Sequence, residues 1–171
     1  MESPKEWMKT VSFCCVDQCA KVCYNSAKRK WSRTCCAQVH KGGCAVLAQT
    51  LGYGLSGVNG FAVKVEVYAA PGLPALEIIG LPDASVKESR DRVSAAIVNA
   101  GFAMPVARMT VNLAPADMKK EGPAFDLPIA VSVLMASGQM AQMDLTHTLL
   151  MGELSLDGTL QPVRGALPMV I

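Results

Sequence analysis

The chain has 171 residues, 51% of them hydrophobic and 18% charged, with a formal net charge of +2. That composition excludes wholesale disorder, and the length suits one domain able to bury a core. Mean hydropathy is +0.29, yet the longest nearly apolar stretch, residues 127–136, falls well short of the roughly 20 residues a spanning helix needs, so no membrane partner is expected.

The averages conceal two unlike pieces. All seven cysteines lie in residues 1–44, which carry eight Lys/Arg against three Asp/Glu. Residues 45–171 carry eight against eleven, net −3, and no cysteine. An odd number of cysteines leaves a closed disulfide framework one thiol over. The N-terminus lacks the apolar core of a secretory signal, so the cytoplasm is the expected compartment. Cys19, Cys23, Cys36, His40 and Cys44 offer ligands for zinc, but their spacing fits no common zinc pattern. Residues 1–44 are therefore expected to be a disordered or artefactual basic leader, and residues 45–171 the domain.

Glycines at 52, 54, 57 and 60 suggest bends before a hairpin turn at Val58-Asn59-Gly60. Residues 61–68 alternate, with Val63, Val65 and Val67 on one side and Lys64, Glu66 and Tyr68 on the other, which predicts a half-buried strand. Residues 71–74 turn the chain, and residues 75–79 read as the partner strand. Asp83 caps a predicted helix whose apolar stripe is Val86, Val93, Ile97 and Ala100, and Gly101 stops it. Residues 109–113 form a short strand, ended by Pro115-Ala116-Asp117. Residues 125–137 form an apolar helix lying across the sheet, stopped by Gly138, with Asp126 as a capping acid and Pro128 in the first turn. A hairpin around Leu156-Asp157-Gly158 follows, and the chain stops in the opening of another helix.

Chemistry is sparse. No G-x-x-x-x-G-K-[ST] occurs, so no P-loop is expected. The letters G-x-G-x-x-G at 52–57 lack the strand-to-helix setting of a dinucleotide site. His147 reads as a surface loop residue, and Asp117, Glu121 and Asp126 as loop and cap acids. Lys119 and Lys120 could meet phosphate as point charges.

The strings GLPDASVKESR (80–90), TVNLAPAD (110–117), KEGPAFDLPIA (120–130), GELSLDG (152–158) and PVRG (162–165) are similar to the N-terminal domain of the YifB/ComM family of magnesium-chelatase-like AAA+ ATPases. The likeness runs from about residue 47 to residue 171. It implies an α/β (α+β) domain of the ribosomal-S5-domain-2-like, Lon-protease-like fold, a mixed sheet with helices packed on it. It implies that the chain is truncated before a AAA+ module, and that the parent is a homo-hexamer using ATP and Mg to drive branch migration on DNA. Lon-type peptidases carry a nucleophilic serine after a Gly-Pro pair and a lysine after a later glycine turn. The matching positions here are Ala124 and Leu167, which supply neither hydroxyl nor amine. Ser132 and Ser137, within or ending a helix, do not substitute. The chain itself is therefore expected to be non-catalytic and to hold no cofactor, with Lys87, Arg90, Arg92, Lys119, Lys120 and Arg164 as candidate nucleic-acid contacts. A Lon-type ATP-dependent protease domain and a free-standing protein-interaction domain are the alternative readings.

Overall fold

The computed structural model describes residues 46–57, 59–145 and 147–163, together with an antiparallel backbone pair of Tyr24–Asn25 with Lys30–Trp31. All five zinc candidates, the rest of residues 1–44 beyond that pair, and the helix expected at the chain's end lie outside these residues.

Alternation builds the sheet. β1 (Val46–Ser56) and β2 (Asn59–Ala70) form a long antiparallel hairpin. Val63, Val65 and Val67 are fully buried on one face of β2, while Lys64 and Tyr68 are exposed on the other. On that open face Glu66 accepts from Gln49 Nε2 at 3.1 Å and from Asn112 Nδ2 at 3.0 Å, joining three strands through side chains.

Gly57, at φ 63°, lies in the hairpin turn, but the two glycines before it do not bend the chain. Gly52 and Gly54 lie inside β1, where a Cβ at 54 would collide with the ring of Phe61 and one at 52 would only touch Phe125 and Pro128. Gly54 thus makes room for an aromatic ring. Ser56 pairs with Asn59, so the turn comes earlier than Asn59-Gly60, which belong to β2.

β3 (Ala75–Ile79) is not the hairpin partner of β2. It pairs in parallel with β4 (Arg108–Ala114), which inserts between them, giving the order β1-β2-β4-β3. The parallel pairing follows from the intervening helix α1 (Ala84–Asn99), which carries the chain back to the start of the sheet. Asp83 caps α1, accepting from the Val86 amide at 2.8 Å. The expected stripe of Val86, Val93, Ile97 and Ala100 is buried. Gly101, at φ 88°, ends the helix with nothing near the position of a Cβ. Gly101→Ala therefore isolates the left-handed backbone penalty. It should lower stability by about 1–2 kcal/mol, read as a lower urea midpoint at unchanged m-value.

A 3-10 turn (Pro123–Phe125) leads into α2 (Asp126–Ala136), every residue of which is buried. Such a helix is apolar all round because it is central. It lies against β1, β2 and α1. Its one polar side chain toward β1, Ser132, pairs with Thr50 at 2.9 Å, and Thr50 Oγ1 also donates to Pro128 O at 3.1 Å. A short hairpin of β5 (Glu153–Leu154) and β6 (Leu160–Gln161) closes the described chain. Asp157 accepts from Thr159 N at 2.9 Å in its turn, which holds its carboxyl below the usual carboxylate range. The result is an α+β architecture, a mixed sheet with two helices on one face. Among the described residues no helix is long and apolar enough to cross a membrane.

Candidate functional site

The strings that single out this sequence meet at one place. The loop between β4 and the 3-10 turn, residues 115–122, lies beside the turn 80–83. Lys120 N–H donates to Leu81 O at 3.2 Å, and Asp83 N–H donates to Lys120 O at 3.0 Å. Gly80, at φ 99°, approaches Leu113 O so closely that a Cβ would collide with it. Leu81 is itself left-handed at φ 54°, held between those two hydrogen bonds.

A second set of bonds ties the start of α2 to the final hairpin. Gly152 N–H donates to Ala124 O at 3.1 Å, and Leu127 N–H donates to Gly152 O at 3.1 Å. Asp126, with no exposed surface, accepts Arg92 Nε at 2.7 Å, Arg92 Nη2 at 3.1 Å and the Leu154 amide at 3.1 Å. Arg92 also donates to Ser85 O and Ser89 Oγ, both at 3.1 Å. The hydrogen bond to Asp126 holds the guanidinium's pKa above its ordinary value. Asp126 is thus a bridge between elements and does not make the capping bond to its own helix that its position in the sequence suggests.

The six basic candidates separate into different roles. Lys120 is fully buried, with Nζ donating to Pro115 O and, at 2.6 Å, to Met118 O. Burial pushes its pKa down against the pull of Asp117. It fastens the loop and offers nothing to a phosphate. Arg92 is committed to Asp126. Arg90 and Lys119 are exposed but paired, with Asp91 at 3.1 Å and Glu121 at 2.7 Å. Each partner raises the pKa of its cation. Lys87 is exposed on α1 and, among the described residues, has no ion-pair partner. Arg164 lies outside the described residues.

The position after Gly122-Pro123 is Ala124, buried in the 3-10 turn. Leu167 lies outside the described residues. Ser132 is enclosed in α2 and hydrogen-bonded to Thr50, and Ser137 is held by Leu134 O. His147 is exposed in a turn. No group of three or more His, Cys, Asp or Glu side chains among the described residues could hold a metal. The residues that sequence reasoning missed are Thr50 and Lys120 as internal polar anchors. A hydroxyl on an otherwise apolar strand face was the one available signal for the first.

Residues 65–171 match the family described as subunit ChlI of Mg-chelatase. The chain is 50% identical over 111 residues to YifB of Escherichia coli, covering 65% of this chain and 22% of that protein. It is 44% identical over 125 residues to a protein of Mycobacterium tuberculosis, covering 73% and 25%. It is 45% identical over 115 residues to competence protein ComM of Haemophilus influenzae, covering 67% and 23%. The chain spans about a quarter of the length of these relatives. With four of the five strings bonded into one node and the match covering most of the domain, the chain belongs to the Mg-chelatase ChlI-like family, among its YifB and ComM members.

Proposed function

We propose that this domain is a non-catalytic assembly and DNA-handling part of a magnesium-chelatase-like AAA+ ATPase. In this reading the full-length parent is a ComM-like homo-hexamer in the cytoplasm, using ATP and Mg to drive branch migration of DNA during competence or recombination. The observation that carries the non-catalytic half is Ala124. A buried methyl group stands where a Ser–Lys peptidase needs its hydroxyl, and the neighbouring polar groups are spent on fold-holding bonds. A fold kept without its chemistry is a scaffold, since function lives in sites.

The net charge of −3 over residues 45–171 favours a few local DNA contacts over a coated surface. Lys87, Arg90 and Lys119 are the exposed candidates. In the full-length protein, replacing Lys87 and Lys119 by alanine should weaken DNA binding and reduce the slope of log K against log salt by about two, near one unit per lost phosphate contact. An unchanged slope would remove this surface from the DNA.

A further inference from the structure

The β1–β2 hairpin carries the only Asn-Gly pair in the sequence, Asn59-Gly60, at its tip. An asparagine carboxamide can close a five-membered ring with the amide nitrogen of the residue that follows it. Glycine crowds that approach least, because it has no Cβ and leaves the backbone free to turn. Asn59 is exposed and Gly60 half-buried. A Cβ at Gly60 would collide with the ring and hydroxyl of Tyr53, so packing keeps glycine at this position.

Inside a strand the attacking amide is normally held in a ladder, but here the register leaves it out. Leu150 N–H donates to Leu51 O at 2.8 Å, so the backbone groups of Leu51 face away from β2. Those of every second residue do the same, Leu55 included. Gly60 is the partner of Leu55, so its N–H faces away from β1, toward the side of β4. The pairing of β2 with β4 begins only at Lys64. The Gly60 amide therefore belongs to neither ladder, and Asn59 is held by the last rung alone, its pair with Ser56. Asp157-Gly158 is the contrast within the same chain. It has a similar reactive sequence, yet Gly158 N–H is committed to Ser155 O at 2.9 Å.

We infer that Asn59-Gly60 is a self-modifying site, which converts to isoaspartate and aspartate with water as the only other reactant. The Gly60 nitrogen gives up its proton to hydroxide and bonds to Asn59 Cγ. The Cγ–Nδ2 bond breaks, and ammonia leaves with a proton returned from water. Water then opens the succinimide at one of its two carbonyls. Opening at Cγ gives aspartate, and opening at the main-chain carbonyl gives isoaspartate. Either product adds a negative charge to the tip. Isoaspartate also routes the main chain through Cβ and Cγ, one carbon longer, which breaks the rung with Ser56. The valine face of β2 lies beyond that rung and stays in place. The inference goes beyond the proposed function and depends on neither its assembly half nor its DNA half.

Incubating the folded 171-residue chain at mildly alkaline pH, followed by peptide mass spectrometry, tests it. Asn59 should become an acid at least ~tenfold faster than Asn99 and Asn112 of the same chain, a barrier difference of about 1.4 kcal/mol. Conversion should quicken as pH rises, and an isoaspartyl methyltransferase should methylate the aged protein. Asn59→Ser should abolish that methylation with an unchanged melting curve, since the position is exposed. Conversion of Asn59 no faster than that of Asn112, or only in chain unfolded by urea, would overturn the proposal. Methylation that survives Asn59→Ser would overturn it equally, by placing the isoaspartate elsewhere.

Discussion

Asp126→Ala should lower the stability of the domain by about 3–5 kcal/mol, the range for removing one partner of a buried pair. Its carboxylate is fully buried and accepts from α1 through Arg92 and from β5 through the Leu154 amide. Truncation leaves a guanidinium whose side chain is only 20% exposed with two donors released, and an amide without an acceptor. The remaining contacts of Arg92 with Ser85 O, Ser89 Oγ and Glu88 at 3.6 Å do not replace a bidentate carboxylate. Asp126→Asn, which keeps the shape and an acceptor for Leu154, should lose less. The double variant Arg92→Met with Asp126→Leu should lose well under the sum of the losses of its two single variants, because it removes both charges and their desolvation. Urea melts of the parent, the two Asp126 variants, the double variant and its two component single variants measure this. A loss below about 1 kcal/mol for Asp126→Ala would mean that the three elements are held without the ion pair.

Why this node escaped the sequence is physical. Asp126 precedes an apolar helix by spacing alone, and an acid there is most often a cap. Whether its oxygens turn back to their own helix or outward to Arg92, 34 residues earlier, is decided by packing. The glycines of β1 mislead in the same way. Read locally they are bends, but they lie inside a strand, and at Gly54 the reason is the ring of Phe61 on the neighbouring strand. Signals that depend on near neighbours were legible: the valine alternation of β2, the Asp83 cap and stripe of α1, and the Asp-Gly turn of the last hairpin. Strand partnership was not, because β3 reaches β4 only after a whole helix intervenes. The family strings were legible as a signature before their role was. In the fold they hold one another, with Gly80 on β4, Lys120 on residues 81 and 83, and Gly152 on residues 124 and 127.

That arrangement also bears on what the domain does. A peptidase of this architecture needs a hydroxyl and an amine facing open space. Here Ala124 has no hydroxyl, and its carbonyl is used to bind Gly152. The lysine nearest in sequence, Lys120, is enclosed. The region that could have been a reaction centre is a joint between the helices, the sheet and the last hairpin.

Lys120 gives that joint a pH signature. Lys120→Met should lower stability by about 1–2 kcal/mol near neutrality, because the carbonyl groups of Pro115 and Met118 lose their shared donor, partly offset by relief from burying a charge. The gap between the two proteins should then widen with rising pH. Burial lowers the native pKa of Lys120 below the ordinary lysine value of 10.5, with Asp117 opposing. The unfolded chain keeps its proton up to that ordinary value, while the native protein releases it earlier. Between the two the unfolded state binds more protons, so the stability of the unmodified chain rises with pH. Below the native pKa the full penalty of the buried ammonium is present, and it is relieved as pH climbs toward 10.5. The neutral amine still carries two N–H groups, enough for Pro115 O and Met118 O. Methionine has no proton to lose and gains nothing from the change. Lys119, whose pKa is raised by Glu121, titrates in both proteins and cancels in the difference. Urea melts of the pair at neutral and at alkaline pH measure it, and parallel stability curves would mean that Nζ reaches water in the native state.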